Sequence, residues 1–581
     1  MSRKALSVHS GQIVVAEVVG AVLVLAAVSG AAGWSVGIPV AVALATVGFG
    51  RWRRRWLYRW LGVALHYASR PKLLPPTTGP IDLLALIDPV ARVVGADLGG
   101  RGYGLIEDEY GVTAVLELGD PTSLLADTPL MLPSPVPLLP ATSEGPGVQV
   151  QLLVSGAPAP ALSRAAGIPA TSYRQLTEGR IAAAQRAFLA VRVRRDDSGW
   201  LDDDLRRTLA GTLRRVRRRL TQDGVPHRPL GRDATLIALA ELAHLCTGSP
   251  VRESWGGLRV GGVRQTTVRV RRFALLRPEL AAQVIPRLLT LPAIGTTISV
   301  AAAPSGVDIV VRVAAPDATR LASTVHTLHR LLVSAGLEGI RLDGEHLLGL
   351  AATLPLGRIG EPSPAGAPAA YGTELPGAGV MLGRNRKGQP VTVRLVRPEP
   401  TRALLVGGVR AAELITLRAL ALGVHVLIQT GRPYAWEPFL RAVSLPSDAV
   451  ALVPAGRPVA LPEGGPLAPQ LVVVDVGPVL GDLPVGDAGW RTTLVLRDDL
   501  APADLDTLAR ADLVILQPLS AAEAALAGAT LGLPGEGQEW LARIRADMIG
   551  VVNRRAVRFA LLSSTPLEQQ LIGSPERVAL V

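Results

Sequence analysis

One cysteine, three lysines and few aromatic residues occur in this 581-residue chain, and each shortage excludes something. Cys246 alone cannot form an internal disulfide, which suits a reducing compartment. His244 lies nearby, but no second cysteine completes a zinc ligand set, so Cys246 reads as a small buried hydrophobe. Lys4, Lys72 and Lys387 stand against abundant Arg, Ala and Gly. That bias follows genomic base composition and makes arginine-rich patches less informative than usual. The eight histidines are scattered, and no H-E-x-x-H or G-x-G-x-x-G occurs. The helix-borne zinc site and the dinucleotide fingerprint therefore drop out. Glu107, Asp108 and Glu109 are clustered carboxylates that could do acid–base work, but beside Tyr110-Gly111 they read as a solvated turn. No catalytic residue, cofactor or metal is expected.

What the chain does have is concentrated at its start. Ile13 to about Ala32 is an apolar run broken only by Glu17, and Trp34 to Gly50 is a second. A spanning helix takes roughly 17–25 apolar residues, so the two runs read as a transmembrane helical hairpin. A basic and aromatic collar follows: Arg51, Trp52, Arg53, Arg54, Arg55, Trp56, Tyr58, Arg59 and Trp60. Such residues suit a membrane–water interface, with rings at headgroup depth and arginines on anionic lipid. Arg3 and Lys4 precede the first run and the link between the runs is uncharged, so both termini are expected on the cytoplasmic side of the plasma membrane. The first 70 residues hold eight Arg and Lys against Glu17 alone, and so carry more than half of the net charge of +12. The basicity is thus mainly a membrane-surface signal, and nucleic acid is not an expected partner.

Length implies two or three further units. Residues 1–70 form the hairpin and a basic juxtamembrane helix, 71–359 a cytoplasmic α+β domain, 360–377 a Pro/Gly/Ala linker, and 378–581 an α/β domain. In the α+β unit Tyr103–Asp108 and Val112–Leu118 pair through Tyr110-Gly111 as a hairpin. Leu201, Leu205, Leu209, Leu213, Val216 and Leu220 form one stripe of a helix, with Asp202 to Asp204 at its start and Arg214 to Arg219 near its end, matching the helix dipole. In the last unit, short apolar runs such as Ala403–Val406, Val424–Ile428, Leu471–Val474 and Leu513–Leu516 alternate with helices. That pattern predicts a parallel sheet covered on both faces.

Its strand Ala403–Val406 ends in Gly407-Gly408 before a helix, and a later one ends in Asp475. The layout resembles a degenerate P-loop fold. The loop lacks the Lys and Ser/Thr that hold phosphate and magnesium, and Glu413 stands near the helix start where it would repel an anion. Arg410 is the one residue there that could hold one.

The order of features is similar to a known family. The hairpin comes first, then Gly104-Leu105-Ile106-Glu107-Asp108-Glu109-Tyr110-Gly111 leading into Val112–Leu118, then Arg186-Ala187-Phe188-Leu189-Ala190-Val191-Arg192 before a long helix. This resembles EccE, a membrane component of actinobacterial type VII (ESX) secretion systems, over residues 1–355. The tail resembles the C-terminal extension of longer EccE-like proteins. The resemblance implies a non-catalytic scaffold subunit that sits with EccB, EccC and EccD in an inner-membrane complex whose motor is EccC. The alternative, from a different class, is a stand-alone membrane-tethered nucleotide-binding or regulatory protein acting through 378–581.

Overall fold

Two short apolar helices lead into the computed structural model, which describes residues 10–52, 55–75, 79–120, 123–126, 129–141, 145–161, 167–195, 199–246, 248, 250–273, 276–362, 372–375, 377–446, 448–457, 461–477, 487–553 and 556–577. Helices α1 (Ser10–Val28) and α2 (Gly30–Phe49) pack antiparallel. Glycines bring them close: a Cβ on Gly37 would lie 2.4 Å from that of Ala26. The expected transmembrane hairpin is not supported. Among the described residues no helix is long and apolar enough to cross a membrane. The apolar part of α1 starts only at Ile13, after Ser10-Gly11-Gln12, and spans about 24 Å to Val28 at 1.5 Å per residue. The first half of α2 is mostly small residues with Ser35, and Ile38 to Phe49 covers about 18 Å. Hydrocarbon is about 30 Å thick. The fold class is therefore mixed α/β with large sheets, and the two-pass topology falls with the spans.

After β1 (Arg51–Trp52), β2 (Arg55–Trp56) and α3 (Leu57–Ser69), the chain enters a 13-stranded antiparallel sheet. In chain order its region contains β3 (Leu73–Leu74), α4 (Pro80–Ile87), β4 (Arg92–Asp97), β5 (Gly102–Asp108), β6 (Gly111–Leu118), β7 (Leu125–Ala126), β8 (Leu130–Leu132), β9 (Val148–Pro158), α5 (Ile168–Thr177), β10 (Ala182–Arg194), α6 (Asp202–Gln222), β11 (His227–Pro229) and α7 (Arg232–Ala243). Then come β12 (Val251–Ser254), β13 (Gly257–Val260), β14 (Val263–Arg271), α8 (Pro278–Leu289), β15 (Gly295–Ala303), β16 (Gly306–Ala315), α9 (Ala318–Ser334), β17 (Glu338–Arg341) and α10 (His346–Ala352).

This sheet is built from one strand order used twice. The first half runs β4-β5-β6-β10-β9, with β11 also on β6; the second runs β12-β13-β14-β16-β15, with β17 also on β14. A helix follows the last hairpin strand in each half (α6, α9), and another follows the added strand (α7, α10). The halves join where β9 and β15 pair antiparallel, Leu152 opposite Val300, so a pseudo-twofold axis passes between them. Registers agree across it: Arg192 lies opposite Thr113, and Arg312 opposite Thr267. The centre of the sheet is covered on both faces, which is why β6, β10 and β15 are buried on alternate sides along their length. The leucine stripe of α6 joins α8 and α9 on one face. Helices α4, α7 and α10 cover the other.

The remaining chain forms β18 (Thr373–Leu375), β19 (Val380–Arg384), β20 (Pro390–Val393), β21 (Thr401–Val406), α11 (Val409–Ala421), β22 (His425–Thr430), α12 (Pro433–Val443), β23 (Val450–Pro454), β24 (Gln470–Asp475), β25 (Arg491–Arg497), α13 (Leu505–Arg510), β26 (Leu513–Leu516), α14 (Ala521–Leu531), α15 (Gly535–Ala542), β27 (Met548–Asn553), β28 (Ala556–Leu561) and α16 (Pro566–Ile572). Its 11-stranded sheet has the order β23-β22-β24-β25-β21-β26-β27-β28-β19-β20-β7. The six strands from β23 to β26 are parallel, and the rest antiparallel. Elements from the middle of the chain are sewn into it. β7 forms its edge, and the Tyr173 hydroxyl of α5 donates to Gly379 O at 2.7 Å while accepting from Met381 N at 3.0 Å; β8 and β18 pair as a separate two-stranded sheet. Much of the 360–377 stretch lies outside the described residues.

A closed site at the carboxyl edge of the parallel sheet

Ligands of open parallel sheets sit beyond the carboxyl ends of the strands, where the order reverses. Here β21 is flanked by β25 and β26, and its neighbours lead to opposite edges. The loop Gly407-Gly408 leaves β21 and enters α11 at this point. The amide that would face a phosphate is already bonded: Gly408 N donates to Gln517 Oε1 at 2.9 Å. Gln517 follows β26, and its Nε2 donates onward to Pro575 O at 2.6 Å. Gly407 lets this side chain approach, since a Cβ there would lie 2.3 Å from Gln517 Oε1.

The C-terminal segment holds this closure. Arg577 donates to Pro518 O at 2.7 Å, to Glu523 Oε1 at 2.7 Å and to Asp499 Oδ1 at 2.8 Å. Burial would raise the Glu523 carboxyl, but the bonds from Arg577 and from the Leu500 and Ser520 amides outweigh it and hold it down at about 2. Arg410, the expected anion holder, donates to Ser574 O at 3.5 Å and so also faces the tail. Glu413 is buried one turn into α11, and burial pushes it up to about 7 against the pull of Arg410.

Asp475, at the end of β24, stands where a metal-holding carboxylate would be. It accepts from Thr430 Oγ1 at 2.8 Å, from Trp436 Nε1 at 2.9 Å and from Arg432 Nη2 at 2.8 Å. Arg432 bridges on to Asp498 beyond β25, at 2.5 and 3.0 Å. The bonds from Asp498 and Asp475 raise the Arg432 guanidinium despite its burial. A guanidinium thus takes the place between two carboxylates that a divalent cation would need. These residues do not fit nucleotide with magnesium. Sequence reasoning found Gly407, Gly408, Arg410, Glu413 and Asp475 but missed Gln517, Arg432 and Arg577. The available signal was indirect: a Gly-Gly loop without lysine still leaves an amide that needs an acceptor.

Of the collar residues, Arg53 and Arg54 lie outside the described residues. Arg51 stacks on the Trp56 ring at 3.8 Å. Arg59 is exposed and Tyr58 half-buried, whereas Trp60 is buried against Trp255, ring centroids 5.8 Å apart. Trp52 and Arg55 fall in β1 and β2. The structure thus brings Trp60 to the sheet rather than to the collar. Of the three carboxylates near Tyr110, Glu109 is exposed in the turn, but Glu107 and Asp108 are not part of a solvated turn. Asp108 is buried, with Arg192 donating at 2.5 and 2.8 Å and Arg358 at 2.8 Å, while Glu107 binds Arg92 and Arg206.

Comparison with known proteins gives one family match. Residues 182–270, from β10 through α6 and α7 to β14, match the family model described as "Putative type VII ESX secretion system translocon, EccE". No curated protein matches. Among solved structures, the genome packaging NTPase B204 from Sulfolobus turreted icosahedral virus 2, in complex with ATP-gammaS, is similar at 11% identity. That similarity covers 29% of this chain and 98% of that one, with a TM-score of 0.20, too low to bear on fold or activity. It is the EccE family, of type VII secretion, that this chain matches across the centre of its first sheet.

Proposed function

We propose that the chain is a non-catalytic structural subunit of a type VII secretion assembly. The observation that carries this reading is the EccE match over residues 182–270. It supports a secretion component, and the closed carboxyl edge supports a role without nucleotide turnover. With Gly408 N bonded to Gln517 and Asp475 neutralised by Arg432, the second sheet serves as a packing module. Its partners are EccB-, EccC- and EccD-like subunits, and Arg51, Tyr58 and Arg59 are offered to anionic lipid where the assembly meets the plasma membrane.

A mild-detergent pull-down of tagged full-length protein from its native membrane, read by mass spectrometry, tests this. Recovery of an FtsK-type ATPase and a multi-span subunit at constant ratios is the expected result. A protein that comes out alone from membranes holding an assembled secretion complex would sink the proposal. ATP hydrolysis by the purified chain that disappears in Asp475→Asn would instead favour a nucleotide-using enzyme.

A further inference from the structure

The second half of the antiparallel sheet has an open, one-signed groove where the first half has a packed core. On the first half, Val94, Tyr103, Leu105 and Val112 share a hydrophobic cluster with Leu205 and Leu209 of α6. On the same face of the second half the cross-strand row is Arg252, Arg259 and Arg264. Arg252 lies opposite Arg259, and Arg259 opposite Arg264. The short turn Gly261-Gly262, with φ +57 and +81, sets that register. All three arginines are exposed.

Like charges placed directly opposite each other destabilise a sheet. A row of three is therefore a feature that the fold itself does not explain. The row forms one wall of a cavity of about 610 Å³, and Leu321 and Val325 of α9 stand on the other wall. Arg341 completes the basic side, and it already pairs with Asp343 at 2.5 Å. Among the described residues no carboxylate lines it.

We infer that this groove docks an acidic, amphipathic peptide segment of a partner protein. Its carboxylates would lie along Arg252, Arg259 and Arg264, and its apolar side chains would lie against Leu321 and Val325. Planar guanidinium groups suit carboxylates, which they bind in pairs of hydrogen bonds. The apolar wall selects a peptide over nucleic acid, whose backbone offers nothing to bury there. The concave shape selects a segment that enters over a flat lipid surface. The inference stands on these residues alone and does not depend on membership of a secretion assembly.

The test titrates the full-length chain with a fluorescein-labelled peptide of alternating Glu and Leu, read by fluorescence anisotropy. Vesicles of phosphatidylglycerol with phosphatidylcholine and a single-stranded oligonucleotide are the rival probes. The peptide is expected to bind, and more weakly at high salt. The triple variant Arg252→Gln/Arg259→Gln/Arg264→Gln is expected to weaken it about tenfold or more. Val325→Ser, which keeps every charge, is also expected to weaken it. The melting temperature of the triple variant without peptide should be unchanged or higher, since the row repels itself, which separates lost binding from lost folding. Equal peptide binding by wild type and triple variant overturns the inference. So does arginine-dependent binding of vesicles or oligonucleotide with none of the peptide.

Discussion

Arg192 and Arg312 occupy equivalent positions in the two halves of the antiparallel sheet, yet they are held in opposite ways. Each stands on the second hairpin strand opposite a threonine, and each is nearly fully buried. Arg192 has a carboxylate partner in Asp108, with Thr113 Oγ1 and Leu356 O as further acceptors. Among the described residues Arg312 has only neutral ones: Thr353 Oγ1 at 2.7 Å, Thr297 Oγ1 at 3.4 Å, Gln265 Oε1 and Leu242 O. Burial without a counter-charge pulls the Arg312 guanidinium down to about 9. Burial would raise Asp108, but Arg192 and Arg358 outweigh it and keep its carboxyl below the usual range. The duplicated fold therefore fixes a polar side chain at this place, while the surroundings decide whether it is charge-paired or merely solvated by protein dipoles.

The largest effect should come from breaking the paired side. Asp108→Ala leaves Arg192 buried without its anion and removes the tie to Arg358, and should cost about 3–5 kcal/mol in urea unfolding. A loss under about 1 kcal/mol would mean that the pair is not what holds β5 to the segment after α10. Arg312→Met should cost less, about 1–3 kcal/mol. It strips donors from Gln265, Thr353 and Leu242 O, but it also removes a desolvated charge. If Arg312→Met proved the costlier of the two, the comparison would be reversed.

The smallest effect is a pH slope. Arg312 has a folded pKa of about 9, well below the usual guanidinium range that the unfolded chain keeps. Above pH 9 the unfolded chain keeps a proton that the folded chain releases, so stability from this group rises with pH. The gain should be about 1 kcal/mol between pH 9 and 10. Taking the difference between wild type and Arg312→Met at each pH isolates it, and a flat difference would show that Arg312 stays charged in the fold.

Much of this architecture was legible where one residue pattern implies one element. Leu205 to Leu220 can only be one helix face, and Leu471–Asp475 and Leu513–Leu516 are too short and too apolar for anything but covered strands. The duplication was not legible, because equivalent positions share geometry more than residues: Arg192 matches Arg312, but Phe188 falls where Asp308 stands. Asp108 was misread because a cluster beside a turn looks solvated. The turn proper is Glu109-Tyr110, and Asp108 still follows the inward alternation of Ile106. The two apolar runs were long enough by residue count, but their glycines, Ser35 and Glu17 shorten the stretch that hydrocarbon would accept. The closed site was half visible. Gly407-Gly408 and Asp475 lie at strand ends that can be read from sequence, whereas Gln517, Arg432 and Arg577 reach them from elsewhere in the chain.

The edge strand β7 has a mechanical consequence. It leaves the chain between β6 and β9 of the first sheet and finishes the second, where Leu125 pairs with Val393 and Arg394 N donates to Leu124 O at 2.8 Å. Ala182 N donates to Gly377 O, and Gly379 N to Ala182 O, making a second seam. A pull on one sheet must shear hydrogen-bonded backbone of the other before the two can part, so the pair carries load as one stiff plate rather than as two bodies on a hinge. A fragment cut at residue 378 would lack that edge, and would leave a raw row of backbone donors and acceptors in its place.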